Sequence, residues 1–457
     1  MLQQGLTAAE KRAAFSLAGI FSLRMLGLFM ILPVFALYAR DLDGVTPMQV
    51  GLAIGIYGLT QALLQIPMGM LSDRYGRKPI IAIGLAIFAV GSVVAAMADD
   101  IFWVIIGRAL QGSGAIAAAI MAFAADLTRE TVRLRIMAII GMSIGLSFAV
   151  AIVLGPLLNN WVGVPGIFWL TAILAVLGIV FLYKVVPAAD EQRHHRDTQA
   201  NPAQIMAVLK DKELLQLDFG VLILHMVLTA SFVALPIALV DHAGFAAESH
   251  WMVYLGVMLV AMLAMVPFVV IAEKRRKMKP VFIGSILIIV VAELCLAAFN
   301  ASLAGIIFSL CIFFIAFNVL EATMPSIVAK KAPVDKKGTA MGAYASSQFI
   351  GAFLGGICGG WLLQNGDVDS VFIYCAIMGV AWSVVAMRME RPEHLSTFVM
   401  KVGKMDHEGA EDIRTRILQV AGVAEATIAA EDGVAYLKVD RNNLDEQALN
   451  QFAQVEV

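Results

Sequence analysis

Residues 69–78 read Gly-Met-Leu-Ser-Asp-Arg-Tyr-Gly-Arg-Lys and set one carboxylate, Asp73, among Arg74, Arg77 and Lys78. Gly69 and Gly76 stand at fixed distances from Asp73 and Arg77. Paired charges at this spacing suit a making and breaking of ion pairs; the alternative is an ordinary solvated turn. A second acid, Asp126, ends an apolar run. Arg108 sits inside an apolar run, in Arg-Ala-Leu-Gln-Gly-Ser-Gly. An arginine there costs several kcal/mol by insertion scales, on the order of 3, so it faces a cavity or a partner. Its alternative role is structural, bonded to backbone carbonyls. Glu321 and His225 also fall inside apolar runs. Burial disfavours the charged form of either group, so both are candidates for proton exchange, with an interhelical hydrogen bond as the alternative. Arg24, Gln61, Gln65, Asn318 and Gln348 are further polar groups in such runs and could line a cavity. Glu293 falls in another such run, where it could pair near the outer surface.

The elements that hold these residues are membrane spans. The chain has 457 residues, 60% hydrophobic and 15% charged. Its mean hydropathy is +0.83, outside the soluble range. Apolar stretches of about 20 residues recur, long enough to cross a hydrocarbon core as helices, which satisfy their own backbone groups. Twelve spans are expected, near 14–39, 48–71, 79–98, 101–125, 134–158, 163–185, 217–241, 250–272, 280–299, 302–326, 339–363 and 368–388. Cys295, Cys311, Cys358 and Cys375 are isolated within spans, and their spacing supports neither a disulfide framework nor a metal site. Nothing calls for a cofactor or a nucleic-acid partner.

A net charge of −2 hides a segregation of sign. Alternate loops carry Arg74, Arg77 and Lys78; Arg129, Arg133 and Arg135; Lys184 to Lys212; Lys274 to Lys279; and Lys330, Lys331, Lys336 and Lys337. The opposite loops hold Asp41, Asp43, Asp99, Asp100, Asp241, Glu248, Asp367 and Asp369, with Arg40 as their cation. The positive-inside rule then puts both termini in the cytoplasm. The expected organisation is a six-span half over 1–186, a linker over 187–213 with Asp190, Glu191, Arg193, His194, His195 and Arg196, a second half over 214–390, and a soluble domain over 391–457. The halves repeat weakly: PMGMLSDRYGRK at 67–78 aligns with PFVVIAEKRRKM at 267–278, pairing Asp73 with Glu273 and Arg74 with Lys274. Both loop glycines are lost from the second copy, which argues against mechanical equivalence.

After Arg391 the chain turns polar. Thr397–Val402, Glu425–Ala430 and Val434–Val439 alternate like strands, the last two joined at Asp432-Gly433. Gly409–Ala421 and Leu444–Phe452 have helical spacing, the first stopped by Gly422. The order β-α-β-β-α suggests a small ferredoxin-like α+β domain with its final strand absent or short. It is similar to heavy-metal-associated domains, but no Cys-x-x-Cys precedes the first helix, so no metal is assigned. Its acidic balance could dock on basic loops such as Lys274 to Lys279, or the domain could bind an unknown ligand.

The loop at 69–78 resembles the signature loop of the major facilitator superfamily, and the resemblance covers about 390 residues. It implies an all-helical transporter, not an enzyme, with a conformational latch of Gly69, Asp73, Arg74, Gly76, Arg77 and Asp126. In it, Asp73 would lie against a helix dipole and Arg77 would reach Asp126. The string at 108–114 resembles the family's second motif and implies proton coupling through Arg108. Gly141, Gly145, Gly155 and Pro156 resemble its third motif, associated with drug:proton antiporters, where small residues permit tight packing and Gly-Pro a bend. A multi-pass protein of a bacterial inner membrane is implied, exporting a small amphipathic compound against protons. A proton-linked importer and a membrane sensor are the alternatives.

Overall fold

The computed structural model describes residues 6–42, 44–187, 206, 208–332, 337–390, 396–403, 405–430, 433–440 and 443–452. The linker charges Asp190 to Arg196 lie outside the described residues, as do Asp43, Lys336, Arg391 and Asp432.

Among the described residues, eleven helices are long and apolar enough to cross a membrane. One of them, Arg135–Lys184, runs 50 residues and contains Gly163 at φ 66°, ψ 176°, a conformation no helix holds. It is two spans joined at a kink, which brings the total to the expected twelve. The spans are Ala8–Phe29 with Leu32–Tyr38, Pro47–Tyr75, Arg77–Ala96, Ile101–Ser113 with Ala117–Asp126, the two parts of Glu130–Lys184, Lys212–Ile237, His250–Lys274, Met278–Phe299, Leu303–Lys331, Lys337–Asn365 and Val368–Met387. Their starts follow from local chemistry. Thr7 with Glu10 and Thr46 with Gln49 form capping boxes, and Asp100, Asp211, Ser302 and Asp367 accept from the first free N–H groups.

Two six-span bundles face each other, and the second and eleventh spans form a long seam between them. The seam depends on glycine. A Cβ on Gly51 would collide with the carbonyl oxygen of Gly356, and one on Gly55 would lie 2.8 Å from that of Phe353. All these residues belong to the ends of the spans nearest the acidic loops. Polar contacts reinforce the closure there. Arg40 pairs with Asp241 at 2.8 Å, Asn160 donates to the Glu248 carbonyl at 2.7 Å, and the Met48 N–H donates to Gln364 at 3.3 Å. On the side of the basic loops, ion pairs stay within a half: Arg77–Asp126, Arg129–Glu10, Lys330–Glu273 and Lys331–Glu213. Leu63, Leu64, Met70 and Leu71 of the second span are exposed there. The bundles therefore meet at the acidic-loop face and part toward the basic-loop face.

The C-terminal region forms strands β1 (Ser396–Lys401), β2 (Val423–Ala429) and β3 (Val434–Val439), with helices His407–Ile417 and Glu446–Asn450. The sheet is antiparallel in the order β1-β3-β2. This is the expected β-α-β-β-α arrangement. Met400, Val402, Ile417, Leu437, Val439 and Leu449 fill its core. Gly422 holds φ +85° against the backbone of Leu444, so the helix stop read from sequence is also a packing requirement.

Replacing Gly51 with valine should wedge the seam open at the acidic-loop face. Spin labels at Asp41 and Ala246, both exposed, should move apart by several ångströms relative to the parent protein. An unchanged distance distribution would remove the seam from the gating account.

Candidate functional site

The charged turn is built as a closed cluster. Arg77, at the start of the third span, sends Nε to Asp126 Oδ2 at 2.7 Å and Nη1 to Ser72 Oγ at 2.8 Å, and also pairs with Asp73. The side chains of Arg77 and Asp126 are only 7% and 9% exposed, so this pair is largely desolvated. Gly76 holds φ +93°, and a Cβ on Gly69 would lie 3.1 Å from that of Ala118. Arg74 points out, its guanidinium 5.3 Å from the Tyr75 ring. Asp73 pairs with Arg77, the first residue of the next helix.

The second copy keeps the geometry and loses the latch. Arg276, aligned with Gly76, holds φ 55° and is the only described non-glycine residue at positive φ. Glu273 instead reaches Lys330 at 2.9 Å and Ser326 at 3.0 Å, with the signs of the first copy exchanged. Arg276 extends to Asp440 of the C-terminal region at 3.3 Å, and Lys438 there donates to the Lys331 carbonyl at 3.4 Å.

Arg108 is 1% exposed. It donates to the carbonyls of Ala53 at 3.3 Å and Ile54 at 3.5 Å, and to Gln111 Oε1 at 2.8 Å, while Gln111 donates to Ser92 at 2.7 Å. The structural alternative read from sequence is thus met in this conformation. Arg24 donates to Gln61, which donates to Gln65 at 3.3 Å. The ring of Tyr57 lies 5.7 Å from the Arg24 guanidinium and 5.1 Å from that of Arg108.

The second half gathers acids. His225 Nε2 lies 3.3 Å from Glu321 Oε1 and 2.8 Å from Gln348 Nε2, and its Nδ1 is 3.2 Å from the Val221 carbonyl. This network fits a neutral ring that donates from Nδ1 and accepts the Gln348 amide at Nε2. Glu321 Oε1 then has no hydrogen bond, and Asn318 Nδ2, one turn away, has none either. His225 is 8% exposed at its side chain and Glu321 34%, so Glu321 is the more accessible residue of the pair, although its Oε1 beside His225 is buried. Glu321, His225 and Gln348 are brought together, whereas Arg108 lies in the other half.

Two sequence expectations are corrected. Glu293 is fully buried and accepts from Ser231 at 2.8 Å, because its helix face turns into the second bundle and not to the surface. Gly141 and Gly145 face open space, with no atom within 4 Å of an added Cβ, because their part of the fifth span borders the region where the halves separate. Gly155 does pack tightly, on the Met30 carbonyl. Sequence reasoning missed Tyr57 and Asp218. Both had a signal: Tyr57 stands one turn before Gln61, and Asp218 is a carboxylate two turns before His225, buried with Oδ2 unpartnered.

Residues 17–356 and 217–419 match the Major Facilitator Superfamily. The chain belongs to this family and is a multi-pass membrane transporter, not an enzyme. It is 45% identical to the inner membrane transport protein YajR of Escherichia coli (strain K12) over 450 residues, 98% of this chain and 99% of that one. It is 25% identical to the multidrug resistance protein MdtH of Yersinia enterocolitica, covering 75% and 84% of the two chains. A bacterial homologue of the human lysosomal transporter Spinster, solved inward-facing and occupied, superposes with a TM-score of 0.71 at 15% identity, over 85% of this chain and 98% of that one. That likeness is one of fold.

Arg77→Ala should destabilise the protein by about 3 kcal/mol, since it strands the buried Asp126 carboxylate, and Asp126→Asn by less, since Asp73 still pairs with Arg77. A double-mutant cycle by thermal unfolding in detergent should give a coupling above ~1 kcal/mol. Additive losses would mean that the pair does not act as a unit.

Proposed function

We propose that this chain is a proton-coupled exporter of a small amphipathic compound, working by alternating access between the halves 1–186 and 214–390. The observation that carries this reading is the Glu321–His225 pair, where a partly exposed glutamate lies 3.3 Å from a buried imidazole. A proton reaching Glu321 would neutralise the charge there, and one reaching His225 Nε2 would require the Gln348 amide to present its oxygen instead. Either event changes the hydrogen bonding of the seventh, tenth and eleventh spans, of which the eleventh forms the seam with the second. Arg108 would respond by exchanging its carbonyl contacts on that second span. The resemblance of 141–156 to the antiporter motif and the likeness to a multidrug resistance protein support export over import.

The positive-inside rule would place both termini and the basic loops in the cytoplasm of a bacterial cell, with the chain in the inner membrane. The conformation is then inward-facing, with the periplasmic seam shut and the Arg77–Asp126 latch made. One proton moving through 100 mV releases about 2.3 kcal/mol, roughly fiftyfold in an equilibrium. That biases a two-state switch without driving it from one extreme to the other. The soluble domain, 391–457, would regulate this switch by docking through Asp440 and Lys438 on the basic loops of the second half.

Proteoliposomes with an imposed pH gradient and a panel of lipophilic cations, neutral drugs and sugars test the coupling. Opposed proton and substrate fluxes are expected, lost in Glu321→Gln and weakened at least tenfold in Arg108→Ala. Co-directional fluxes would establish the importer, and binding without flux the sensor. For the docking, Asp440→Lys should raise protease sensitivity between the twelfth span and β1, and Arg276→Glu in the same chain should reverse it. No change in either variant would end the docking idea.

A further inference from the structure

Apart from groups held in ion pairs, such as Glu10 with Arg129 and Asp126 with Arg77, the two halves bury opposite charges. Arg24 and Arg108 lie in the first, each 1% exposed, and Asp218 and Glu293 in the second, 5% and 0% exposed. Among the described residues, no carboxylate pairs with either arginine. A guanidinium keeps its proton under these conditions, so its charge needs compensation from elsewhere. For Arg108 the carbonyls of Ala53 and Ile54 and the Gln111 amide oxygen take the N–H groups. For Arg24 they do not. Gln61 takes one donor, and Nε and Nη1 remain without a partner. The hydroxyl of Tyr57 makes no hydrogen bond of normal length but interacts with the Arg24 guanidinium, and its ring is within 6 Å of both guanidinium carbons. The fixed positive charge of Arg24 is thus faced by a neutral hydroxyl and an amide and, among the described residues, by no carboxylate.

The place is suited to a ligand. Tyr57 packs on Phe349 of the eleventh span, with ring centroids 6.4 Å apart, so it borders the seam between the halves. The Gln61–Gln65 chain leads from Arg24 toward the side where the halves part. Phe88 stacks near Arg24 at 5.6 Å, and Met25 and Leu28 add apolar surface. A forked guanidinium with a neighbouring hydroxyl matches the two oxygens of a carboxylate. We infer that Arg24 and Tyr57 form a subsite for the anionic head group of an amphipathic substrate, with a carboxylate as the best match. Phe349 covers this subsite at the seam and shifts when the halves move. The inference rests on the transport reading above and names its substrate class; Arg108 contributes field and not contact.

The test is binding of octanoate and of its neutral isostere octanamide to the full-length protein in nanodiscs, by calorimetry at fixed pH and salt. Octanoate should bind at least tenfold more tightly. Arg24→Gln should abolish that preference, Arg24→Lys should keep part of it, and Tyr57→Phe should reduce it severalfold. A wild-type protein that binds the two equally, or binds neither, overturns the inference before any variant is made. A preference that survives Arg24→Gln overturns it as well, by locating the anion elsewhere. Should Arg24→Gln fail to fold, Arg24→Lys and Tyr57→Phe decide, since neither removes the packing. The two proposals fail separately. Proton-driven export of a cation that persists in Arg24→Gln sinks the anion subsite and leaves antiport standing. An anion preference without opposed proton flux does the reverse.

Discussion

Everything in this fold answers to one constraint: hydrocarbon offers no hydrogen bonds and no screening, so each charge within the spans must be answered by protein. The Arg77–Asp126 pair shows the constraint at its strictest. The attraction between its partners largely offsets their desolvation, so its net stability is small while the cost of losing either partner is large. That combination gives a contact with two well-separated states. It is also why the cluster is so tightly specified, with Nη1 of the same guanidinium shared between Ser72 and Asp73.

Duplication makes the same point from the other side. The loop after the eighth span keeps the left-handed turn, now held by Arg276, but glycine, aspartate and latch are gone. Its charges reappear with exchanged sign as Glu273 and Lys330 on helices of the same half. One half therefore holds the latch at its second and third spans, and the other presents a cation to the C-terminal region. A chain with two identical latches would have no preferred sequence of release.

In the alternating-access reading proposed above, closure at the acidic-loop face and separation at the basic-loop face would be two halves of a lever. Backbones approach within glycine contact at Gly51 and Gly356, which lets the second and eleventh spans act as a fulcrum. Gly141 and Gly145, by contrast, border open space. In a structure with the opposite gate closed, the same small residues would be free to pack, so the absence of contact at these positions belongs to this state of the lever.

Much of this was legible in the sequence because membrane helices are specified locally. Span count follows from the length and polarity of each stretch, and even the merged Glu130–Lys184 helix resolves into two at Gly163. The C-terminal β-α-β-β-α order follows from alternation and glycine placement. The Arg77–Asp126 contact was legible through a resemblance that ties two distant positions. Packing partners were not legible, because a helix pattern shows that a residue is inward without showing what it meets. Glu293 turning to Ser231, Tyr57 lying between two arginines and Asp73 meeting Arg77 depend on how helices from separate parts of the chain rotate against one another. The sequence by itself determined how many helices cross the membrane, the sign of charge on each side and the inventory of buried polar groups, since each depends on a residue and its near neighbours. Only the tertiary structure decided which of those groups share a partner and which face is closed, because those depend on distances between segments that are far apart in the chain.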